Sequence, residues 1–539
     1  MAMESEETTV AATDMARDCT GRQLIRQLVE RGALLPIEEK LASEVPEEQA
    51  LLFCALLGLA RLGHLCLAIG EEGVTPSLDG LISDPTLLKE WEAALLRTPK
   101  ETSPSLIYSE GRFYLPKYWE LEERIVIPTT QMICRNVKPI PIPKLPDSLT
   151  EEQKKAVALA CHHSLSLITG GPGTGKTSVA LEIAHAFAAS GRPFISLAAP
   201  TGKAASHLAS RLEGLSPHLT FGTLHSLLGV RTHGDLYKRE GHPLPADLLI
   251  VDEGSMIDTA LFARLFAAIG PHTHLVILGD ANQLPAVEGG SIFADLLKSG
   301  VPSVTLTQVF RSDRKEILST AHRILSGHSL PTNLDLGLAE GNARTVYENL
   351  WKHVHPLFPK PQKNRPDPEE LLASGSQFRM LSTLRRGLFG VDRINAFLKE
   401  RFAALAEPGD YLSIPIIITQ NDKQTELTNG ETAILIQQIG AEATGYFPGG
   451  RTFPLHELPP YHYAYCLSVH KSQGSEYDRV LLLIPEGSET FGREVLYTGV
   501  TRAKEQLEID GHPESIARAL KRTSERLSGI PARIGLYQR

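Results

Sequence analysis

The feature that most constrains the fold is a glycine-rich octapeptide between an apolar run and a helical pattern. Residues 170–177 read GGPGTGKT, which fits the spacing GxxxxGK[ST]. The preceding run Ser164–Ile168 is typical of a buried strand, and Val179, Ile183 and Phe187 then recur on one face of a helix. Glycine N–H groups and a helix N-terminus together form a phosphate site. The octapeptide therefore predicts a parallel α/β domain that binds a nucleotide.

Within this loop, the charged and hydroxyl side chains have separate expected roles. Lys176 supplies a mobile positive charge for the β and γ phosphates, and Thr177 is expected to ligate Mg²⁺. The predicted nucleotide contacts of the loop are Gly170, Gly171, Pro172, Gly173, Thr174, Gly175, Lys176, Thr177 and Ser178.

A second element places two acids at the end of a buried strand. The segment 249–253 reads LIVDE, and ligands bind at the carboxyl ends of parallel strands. Asp252 is expected to hold the Mg²⁺ shell, and Glu253 to polarise the attacking water. Together with the loop, this pair predicts an ATPase that uses Mg²⁺.

The length of 539 residues is too great for one hydrophobic core, so we expect several domains. Alternating apolar runs and amphipathic helices predict a first α/β domain over 149–345 and a second over 346–539. The strands expected in the first are Ser164–Ile168, Phe194–Ala198, Leu248–Val251, Leu275–Leu278 and Val304–Leu306. Residues 1–115 are expected to form a helical unit, and 116–148, with its Pro-rich stretch, a linker. A β-branched, glycine-rich stretch at about 405–465 predicts a small inserted β-barrel.

The N-terminal unit contains the most apolar stretch of the chain, Ala50–Gly70. Arg61 and His64 interrupt it, which favours a buried helix pair over a membrane span. The segment Ser105–Lys117 is expected to form a hairpin that turns at Glu110 and Gly111. We therefore expect no membrane association.

Composition places few limits on function. The net charge of −9 does not indicate a strongly basic nucleic-acid binder, although a motor that grips DNA in a cleft needs only local basic groups. The six cysteines form no CxxC pair, so neither a zinc nor an iron–sulfur site is suggested. The N-terminus MAMESEETTV is acidic where a signal peptide is basic, so a cytoplasmic location is expected.

Further segments carry a resemblance to a known family. Five of them resemble, in order, the motifs of superfamily 1 helicases: APTGKAA at 199–205, DEGS at 252–255, LGDANQL at 278–284, VHKSQG at 469–474 and YTGVTRA at 497–503. The segment FRMLSTLRRGLFGVDRIN at 378–395 and the N-terminal region are similar to the RecD family of superfamily 1B. RecD is the alpha subunit of exodeoxyribonuclease V, the RecBCD complex.

This resemblance implies two RecA-like P-loop domains that hydrolyse ATP at their interface and move 5′→3′ along DNA. It also implies an SH3-like character for the barrel, a small insertion at about 226–247, and partner docking through residues 1–115. The implied partners are single-stranded and duplex-end DNA together with RecB-like and RecC-like subunits in a heterotrimer. The implied role is double-strand break repair and recombination.

The resemblance also assigns roles at the ATP site. Gln153 is expected to read adenine, Gln283 to touch the γ phosphate, and Glu476 to meet the ribose. Arg311 and Arg502 are expected to stabilise the charge of the transferring phosphate.

The implied DNA contacts lie in both domains. They are Thr201, Lys203, Thr223, His225, Ser468, His470, Lys471 and Ser472. His225 has a second interpretation as a core histidine. The insertion, turning around Gly234 and Asp235, is either a strand-splitting pin or an ordinary connecting loop.

Two positions depart from the family pattern, since Gly254 and Gly499 stand where alanine is usual. Both are small-for-small changes, so catalysis is expected to persist.

Three alternatives bear on function. No His, Cys and Asp constellation suggests a nuclease, so cutting is expected to belong to a RecB-like partner. A free-standing RecD-like helicase is the nearest rival, but tandem helix–hairpin–helix signatures are not obvious. A catalytically idle scaffold is the more distant rival, and Lys176, Glu253, Gln283 and Arg502 argue against it.

Overall fold

The computed structural model describes residues 21–71, 73–212, 214–216, 218–229, 242–309, 315–422 and 424–537. Arg311, and Gly234 and Asp235 of the predicted insertion, lie outside the described residues. In the described part of the chain, no helix is both long enough and apolar enough to cross a membrane.

The N-terminal unit is a mixed α/β unit rather than a helical one. Its elements are α1 (21–30), α2 (Pro36–Ala42), α3 (Glu47–Arg61), β1 (Leu67–Gly70), β2 (Gly73–Thr75), α4 (Pro85–Leu95), β3 (Ile107–Ser109) and β4 (Arg112–Tyr114). The four strands form one sheet in the order β2-β1-β4-β3. The expected hairpin is confirmed: β3 pairs with β4, and Glu110 and Gly111 both have positive φ, as a two-residue turn of type I′ requires.

The expected helix pair over Ala50–Gly70 is wrong. Gly63 has a φ of 91°, and the amides of Gly63 and His64 donate to the carbonyls of Ala60 and Leu59. This glycine C-cap ends α3, and the chain continues as strand β1.

The first α/β domain is built on a six-stranded parallel sheet. Its elements are α5 (Pro116–Ile133), α6 (Glu151–His162), β5 (Leu165–Gly170), α7 (Lys176–Ala189), β6 (Ile195–Ala199), α8 (Gly202–Leu212), β7 (Leu219–Thr223), α9 (Leu224–Leu227), β8 (Leu248–Val251), α10 (Thr259–Ala267), β9 (His274–Gly279), α11 (Ile292–Lys298) and β10 (Ser303–Leu306). The strand order is β10-β5-β9-β8-β6-β7, so the strand before the glycine-rich loop is flanked on both sides. All five expected strands are present: Leu248–Val251 has the predicted bounds, and the ends of the other four are shifted by at most two residues.

The second α/β domain has a four-stranded parallel sheet, β17-β11-β18-β19, and an antiparallel insertion. The elements from residue 315 onward are α12 (Lys315–Leu325), α13 (Ala343–Val354), α14 (Pro368–Gln377), β11 (Phe378–Ser382), α15 (Val391–Ala404), β12 (Tyr411–Ile418), β13 (Thr432–Gln438), β14 (Thr444–Tyr446), β15 (Thr452–Pro454), β16 (Tyr461–Tyr463), β17 (Cys466–Ser468), β18 (Tyr477–Ile484), α16 (Gly492–Val500), β19 (Ala503–Gly511), α17 (Pro513–Lys521) and α18 (Ile530–Tyr537). The insertion is a five-stranded antiparallel sheet in the order β15-β14-β13-β12-β16.

Core packing moves three of the expected boundaries. Residues 116–133 are not linker, because helix α5 buries Ile125 and Val126 in the core of the first sheet. Helix α18, assigned to the second domain, packs on α5 and buries Ile530 in that same core. Helix α12, assigned to the first domain, buries Ile317 and Ile324 in the core of the second sheet. Each helix therefore belongs to the domain whose core its apolar face packs against, whatever its position in the sequence.

Candidate nucleotide and DNA site

The glycine-rich loop connects β5 to α7 in a phosphate-binding conformation. Gly173 and Gly175 have φ of 79° and 84°, a region that glycine enters without strain. A methyl group on Gly170 would lie 2.7 Å from Thr174 Oγ1 and 2.9 Å from the Leu306 carbonyl, so the loop packs tightly. Lys176 Nζ donates to the carbonyls of Gly170 and Gly171 at 2.6 and 3.2 Å. The lysine therefore lies against the loop that was expected to cradle phosphate.

The other predicted loop residues differ in accessibility. Pro172 and Thr177 are half-buried, and Ser178 is exposed. The hydroxyl of Thr174 is buried and donates to the Gly171 carbonyl at 2.8 Å, so it shapes the loop.

Gln153 lies beside the loop in a helix-capping arrangement. Its Oε1 accepts from the Thr150 amide at 3.0 Å, and its Nε2 donates to the Thr174 carbonyl at 3.0 Å. These contacts join the start of α6 to the loop. Adenine recognition by Gln153 stays a prediction.

The acidic pair follows β8 at the same edge of the sheet. Glu253 has a φ of 54°, which is uncommon outside glycine and typical of functional sites. Its amide donates to Asp252 Oδ1 at 2.8 Å. Burial, followed by repulsion from Asp252, raises the pKa of Glu253 to about 7, while Arg502 and Lys176 act in the opposite direction. The carboxyl group is thus poised to exchange a proton near neutral pH.

Gln283 lies in the turn after β9 and is almost fully buried. Its Nε2 donates to Asp280 Oδ2 at 3.3 Å. Its Oε1 is buried without a hydrogen-bond partner among the described residues. An unpaired buried acceptor is costly, so this atom is a candidate for contact with a bound molecule.

Arg502 comes from the second domain and lies at the end of α16. Its guanidinium donates to the carbonyls of Thr498 and Ser475 at 3.1 and 3.2 Å, and to the hydroxyl of Thr501 at 3.3 Å. It is 3% exposed. The charges of Arg502 and Lys176 both act on Glu253, so the three groups lie near one another at the domain boundary.

Sequence reasoning missed the residues that connect the two domains. Tyr497 donates from its hydroxyl to Asp280 Oδ2 at 2.9 Å. Leu284 donates from its amide to Thr498 Oγ1 at 2.9 Å, and its carbonyl accepts from Gln473 Nε2 at 3.0 Å. All five of these residues lie inside the segments that resemble helicase motifs. Their membership in those motifs is the sequence signal that could have identified them.

Two of the predicted DNA contacts of the first domain meet the second domain directly. Lys203 Nζ donates to Ser475 Oγ at 3.0 Å, and a methyl group on Gly474 would lie 3.5 Å from Thr201 Oγ1. A methyl group on Gly202 would lie 3.5 Å from Thr428 Oγ1, which belongs to the antiparallel insertion. Ser475 and Thr428 were not predicted.

The predicted contacts after β7 are accessible. His225 is exposed, which excludes its interpretation as a core histidine. Thr223 is half-buried, and its Oγ1 accepts from the Ser226 amide at 3.1 Å as a helix cap.

The predicted contacts of the second domain do not all remain available. Ser472 is fully buried and donates to the Val469 carbonyl at 2.7 Å, so its assignment to DNA is wrong. Ser468 is half-buried and accepts from the Lys471 amide at 3.3 Å. His470 packs edge-on against Phe491 with ring centroids 5.2 Å apart.

Two further predicted residues of the second domain are Lys471, inside the segment 468–472, and Glu476, four residues after it. Burial, followed by the charge of Arg385, lowers the pKa of Lys471. Glu476 lies half-buried directly before β18.

Comparison with known proteins agrees with this geometry. Residues 148–346 match the AAA domain family, and residues 463–509 match the UvrD-like helicase C-terminal domain. The RecBCD enzyme subunit RecD of Mycolicibacterium smegmatis is 32% identical over 82% of this chain and 86% of its own length. The RecBCD enzyme subunit RecD of Mycobacterium tuberculosis is 30% identical over 92% of each chain. The ATP-dependent RecD2 DNA helicase of Deinococcus radiodurans is 30% identical over 85% of this chain and 64% of its own length. The chain belongs to the RecD family, and it is an ATP-hydrolysing DNA helicase.

Proposed function

We propose that this chain is the 5′→3′ motor subunit of a RecBCD-type exodeoxyribonuclease V. It acts with RecB-like and RecC-like subunits on duplex DNA ends during double-strand break repair and recombination. The observation that carries the motor part is that the two parallel-sheet domains meet beside the phosphate loop, where Tyr497 donates to Asp280 at 2.9 Å and the charges of Arg502 and Lys176 both act on Glu253. The partners are carried over from the relatives named as RecBCD subunits, and the direction is the one that the resemblance to the RecD family implies.

Each residue at the domain boundary has a separate task in hydrolysis. Glu253, with a pKa of about 7, accepts a proton from the attacking water. The buried Oε1 of Gln283 orients that water or its γ-phosphate neighbour. Lys176 and Arg502 stabilise the negative charge that develops on the transferring phosphoryl group. Arg311 is assigned the same task from the other side.

The acidic pair fits a divalent cation. Asp252 raises the pKa of Glu253, and that repulsion is relieved when a cation binds beside the pair. Asp252 and Thr177 would hold Mg²⁺, which when bound neutralises charge on the β and γ phosphates.

A change at the nucleotide site is transmitted to the DNA-binding residues through hydrogen bonds between the two domains. Asp280 and Leu284, next to Gln283, are bonded to Tyr497, Thr498 and Gln473 of the second domain. Hydrolysis therefore changes how firmly the domains hold each other, and the change reaches the DNA contacts.

DNA is gripped without regard to base sequence. Thr201 and Lys203 face segment 474–475, and Thr223 and Thr428 both lie beside Gly202. This mixture of hydroxyl and ammonium groups is suited to phosphate oxygens. His225, Ser468, His470 and Lys471 extend this surface. We assign the five-stranded insertion as the SH3-like barrel that adds Thr428 to it.

The partner-docking face lies on helix α2 of the N-terminal unit. Leu35, Ile37 and Leu41 are 42%, 55% and 39% exposed. By contrast, three leucines of the block that sequence suggested for docking, Leu52, Leu56 and Leu59, fill the unit's own core, and Leu65 is buried in the core of the first sheet. An exposed apolar cluster on a small helix suits a stable subunit interface with a RecC-like partner.

Co-expression with RecB-like and RecC-like subunits tests this assignment. The double variant Ile37→Glu and Leu41→Glu should lose co-purification while still hydrolysing ATP on single-stranded DNA, because charges are costly in an apolar interface. Leu96→Glu, an exposed leucine beyond α4, is the matched control and should assemble normally.

Deleting Met1–Arg112 should also abolish assembly. Normal assembly of the double variant would overturn the α2 assignment. Normal assembly of the deletion as well would place the docking site outside residues 1–112, whereas failure of the wild-type chain to assemble would favour a free-standing helicase.

A further inference from the structure

One arginine near the C-terminus binds three carbonyls of a single loop. Arg526 lies between α17 and α18, and its Nη1 donates to the carbonyls of Ala286, Glu288 and Gly290 at 2.6, 2.8 and 3.0 Å. These are alternate residues of the segment 284–290, which we name the switch loop. Charge-assisted bonds from one guanidinium to three carbonyls fix the loop's curvature.

The switch loop begins at the nucleotide site. Its first residue, Leu284, follows Gln283 and is bonded through its amide and carbonyl to Thr498 and Gln473 of the second domain. Its middle residue, Val287, is 78% exposed, whereas Leu284 and Ala286 are buried, so packing holds the middle of the loop less firmly than its start. Arg526 is therefore positioned to stiffen the part of the loop that packing leaves free.

The N-terminal unit holds this arginine in position. A methyl group on Gly63 would lie 2.4 Å from Arg526 Nε, so the guanidinium occupies the space left by the missing side chain. The Gly63 carbonyl accepts from the Gly290 amide at 2.8 Å. The next residue, Leu527, is also hydrogen-bonded to the segment after α3. Its amide donates to His64 Nδ1 at 2.9 Å, and its carbonyl accepts from the Leu65 amide at 2.9 Å.

These contacts join three distant parts of the chain at one point. The end of α3, the segment after α17 and the switch loop meet at Arg526. A flexible loop would absorb a movement at Leu284 by bending, whereas a loop held at alternate carbonyls transmits it.

We infer that Arg526 is a positioning residue for coupling: it holds the switch loop so that the nucleotide state at Gln283 is matched to DNA binding. This inference rests on the proposed motor function. Arg526 contacts neither nucleotide nor DNA in this account, and it acts through the loop.

The test measures steady-state ATPase activity of the full chain against oligo(dT) concentration, with thermal unfolding alongside. Arg526→Ala should lower the DNA-stimulated kcat or raise the half-saturating oligo(dT) concentration by about tenfold, because three charge-assisted bonds are lost. Arg526→Lys should recover much of the loss, since an ammonium group also offers several donors from one nitrogen. Added guanidinium at millimolar concentration should partly rescue Arg526→Ala.

Two further variants sharpen the test. Arg518→Ala removes an exposed arginine from helix α17 and should leave the DNA stimulation unchanged. Gly63→Ala should lower the stimulation as Arg526→Ala does, because its methyl group displaces the guanidinium. Combined with Arg526→Ala, it should add little further loss of stimulation.

The outcomes separate the two proposals. If the wild-type chain shows no DNA stimulation, the proposed motor function fails. If the wild-type chain is stimulated and folded Arg526→Ala is stimulated equally, the inference about Arg526 is overturned. Loss of thermal stability without rescue by lysine or guanidinium would also overturn it, because the role would then be structural only.

Discussion

Tyr497 of helix α16 donates a hydrogen bond to the buried carboxylate of Asp280, at 2.9 Å, across the boundary between the two parallel-sheet domains. Burial, followed by the charge of Asp280, raises the pKa of Tyr497, so its hydroxyl keeps the proton that it donates. The same hydroxyl lies close to the glycine-rich loop, since a methyl group on Gly171 would be 3.1 Å from it. One side chain thus touches the phosphate loop and the turn that carries Gln283.

Replacing Tyr497 by Phe should slow DNA-stimulated hydrolysis by about tenfold, because a bond to a charged group contributes about 1.5–3 kcal/mol. Binding of a fluorescent ATP analogue should change little. Tyr537→Phe, at an exposed tyrosine, is the control. Unchanged turnover in Tyr497→Phe would show that the bond is not used for coupling.

Glu253→Gln should preserve nucleotide binding and slow hydrolysis by about 10²–10⁴-fold, because an amide cannot accept the proton of the water. Single-turnover hydrolysis and equilibrium binding measure the two effects separately. Glu151→Gln, an exposed acid at the start of α6, should behave like the wild type. Loss of binding in Glu253→Gln would mean that its role is misassigned.

Gly254→Ala should destabilise the chain by about 1–3 kcal/mol, the usual cost of overpacking a core. A methyl group there would lie 2.6 Å from Ile277 Cγ2 and 3.0 Å from the Phe293 ring. Gly535→Ala, on α18 with no atom within 4 Å of the added methyl group, should instead stabilise by up to about 1 kcal/mol. Thermal unfolding of both variants checks this contrast, and equal midpoints would contradict it.

Asp295→Asn should remove a pH dependence of stability. Burial raises the pKa of Asp295 to about 7, although Ser528 and Lys298 favour the ionised form, and Glu122 and Glu525 add repulsion. Because the folded state holds this proton to higher pH than the unfolded state, the wild type loses stability as pH rises from about 4 to 7.

The stability advantage of the asparagine variant over the wild type should therefore be larger near pH 8 than near pH 5, by up to a few kcal/mol. Urea unfolding at both pH values measures the difference. A constant offset between the two chains would rule out this origin.

Local signals were sufficient for the nucleotide loop. The glycines, the apolar run before them and the helical pattern after them are contiguous, so β5, the loop and α7 could be predicted. The end of α3 could also have been predicted, since Gly63 is a typical helix C-cap. The apolar residues around it instead suggested that the helix continues.

Long-range packing could not be predicted in this way. Ile530 on α18 indicates a buried face, yet nothing in its pattern says that this face packs on α5 of the first domain. Ser472 lies in a motif implied to contact DNA, but its hydroxyl bonds the Val469 carbonyl instead. The Tyr497–Asp280 bond joins residues 217 positions apart, so only the folded chain reveals it.

The most direct test of the motor is unwinding of a short duplex that carries either a 5′ or a 3′ single-stranded tail. The purified wild-type chain, alone and with RecB-like and RecC-like subunits whose own motors are inactivated, should separate the 5′-tailed duplex in the presence of ATP and leave the 3′-tailed one intact. Lys176→Gln should separate neither, because it lacks the charge of the lysine that lies on the phosphate loop. Preference for the 3′ tail, or no ATP-dependent separation of either substrate, would contradict the account.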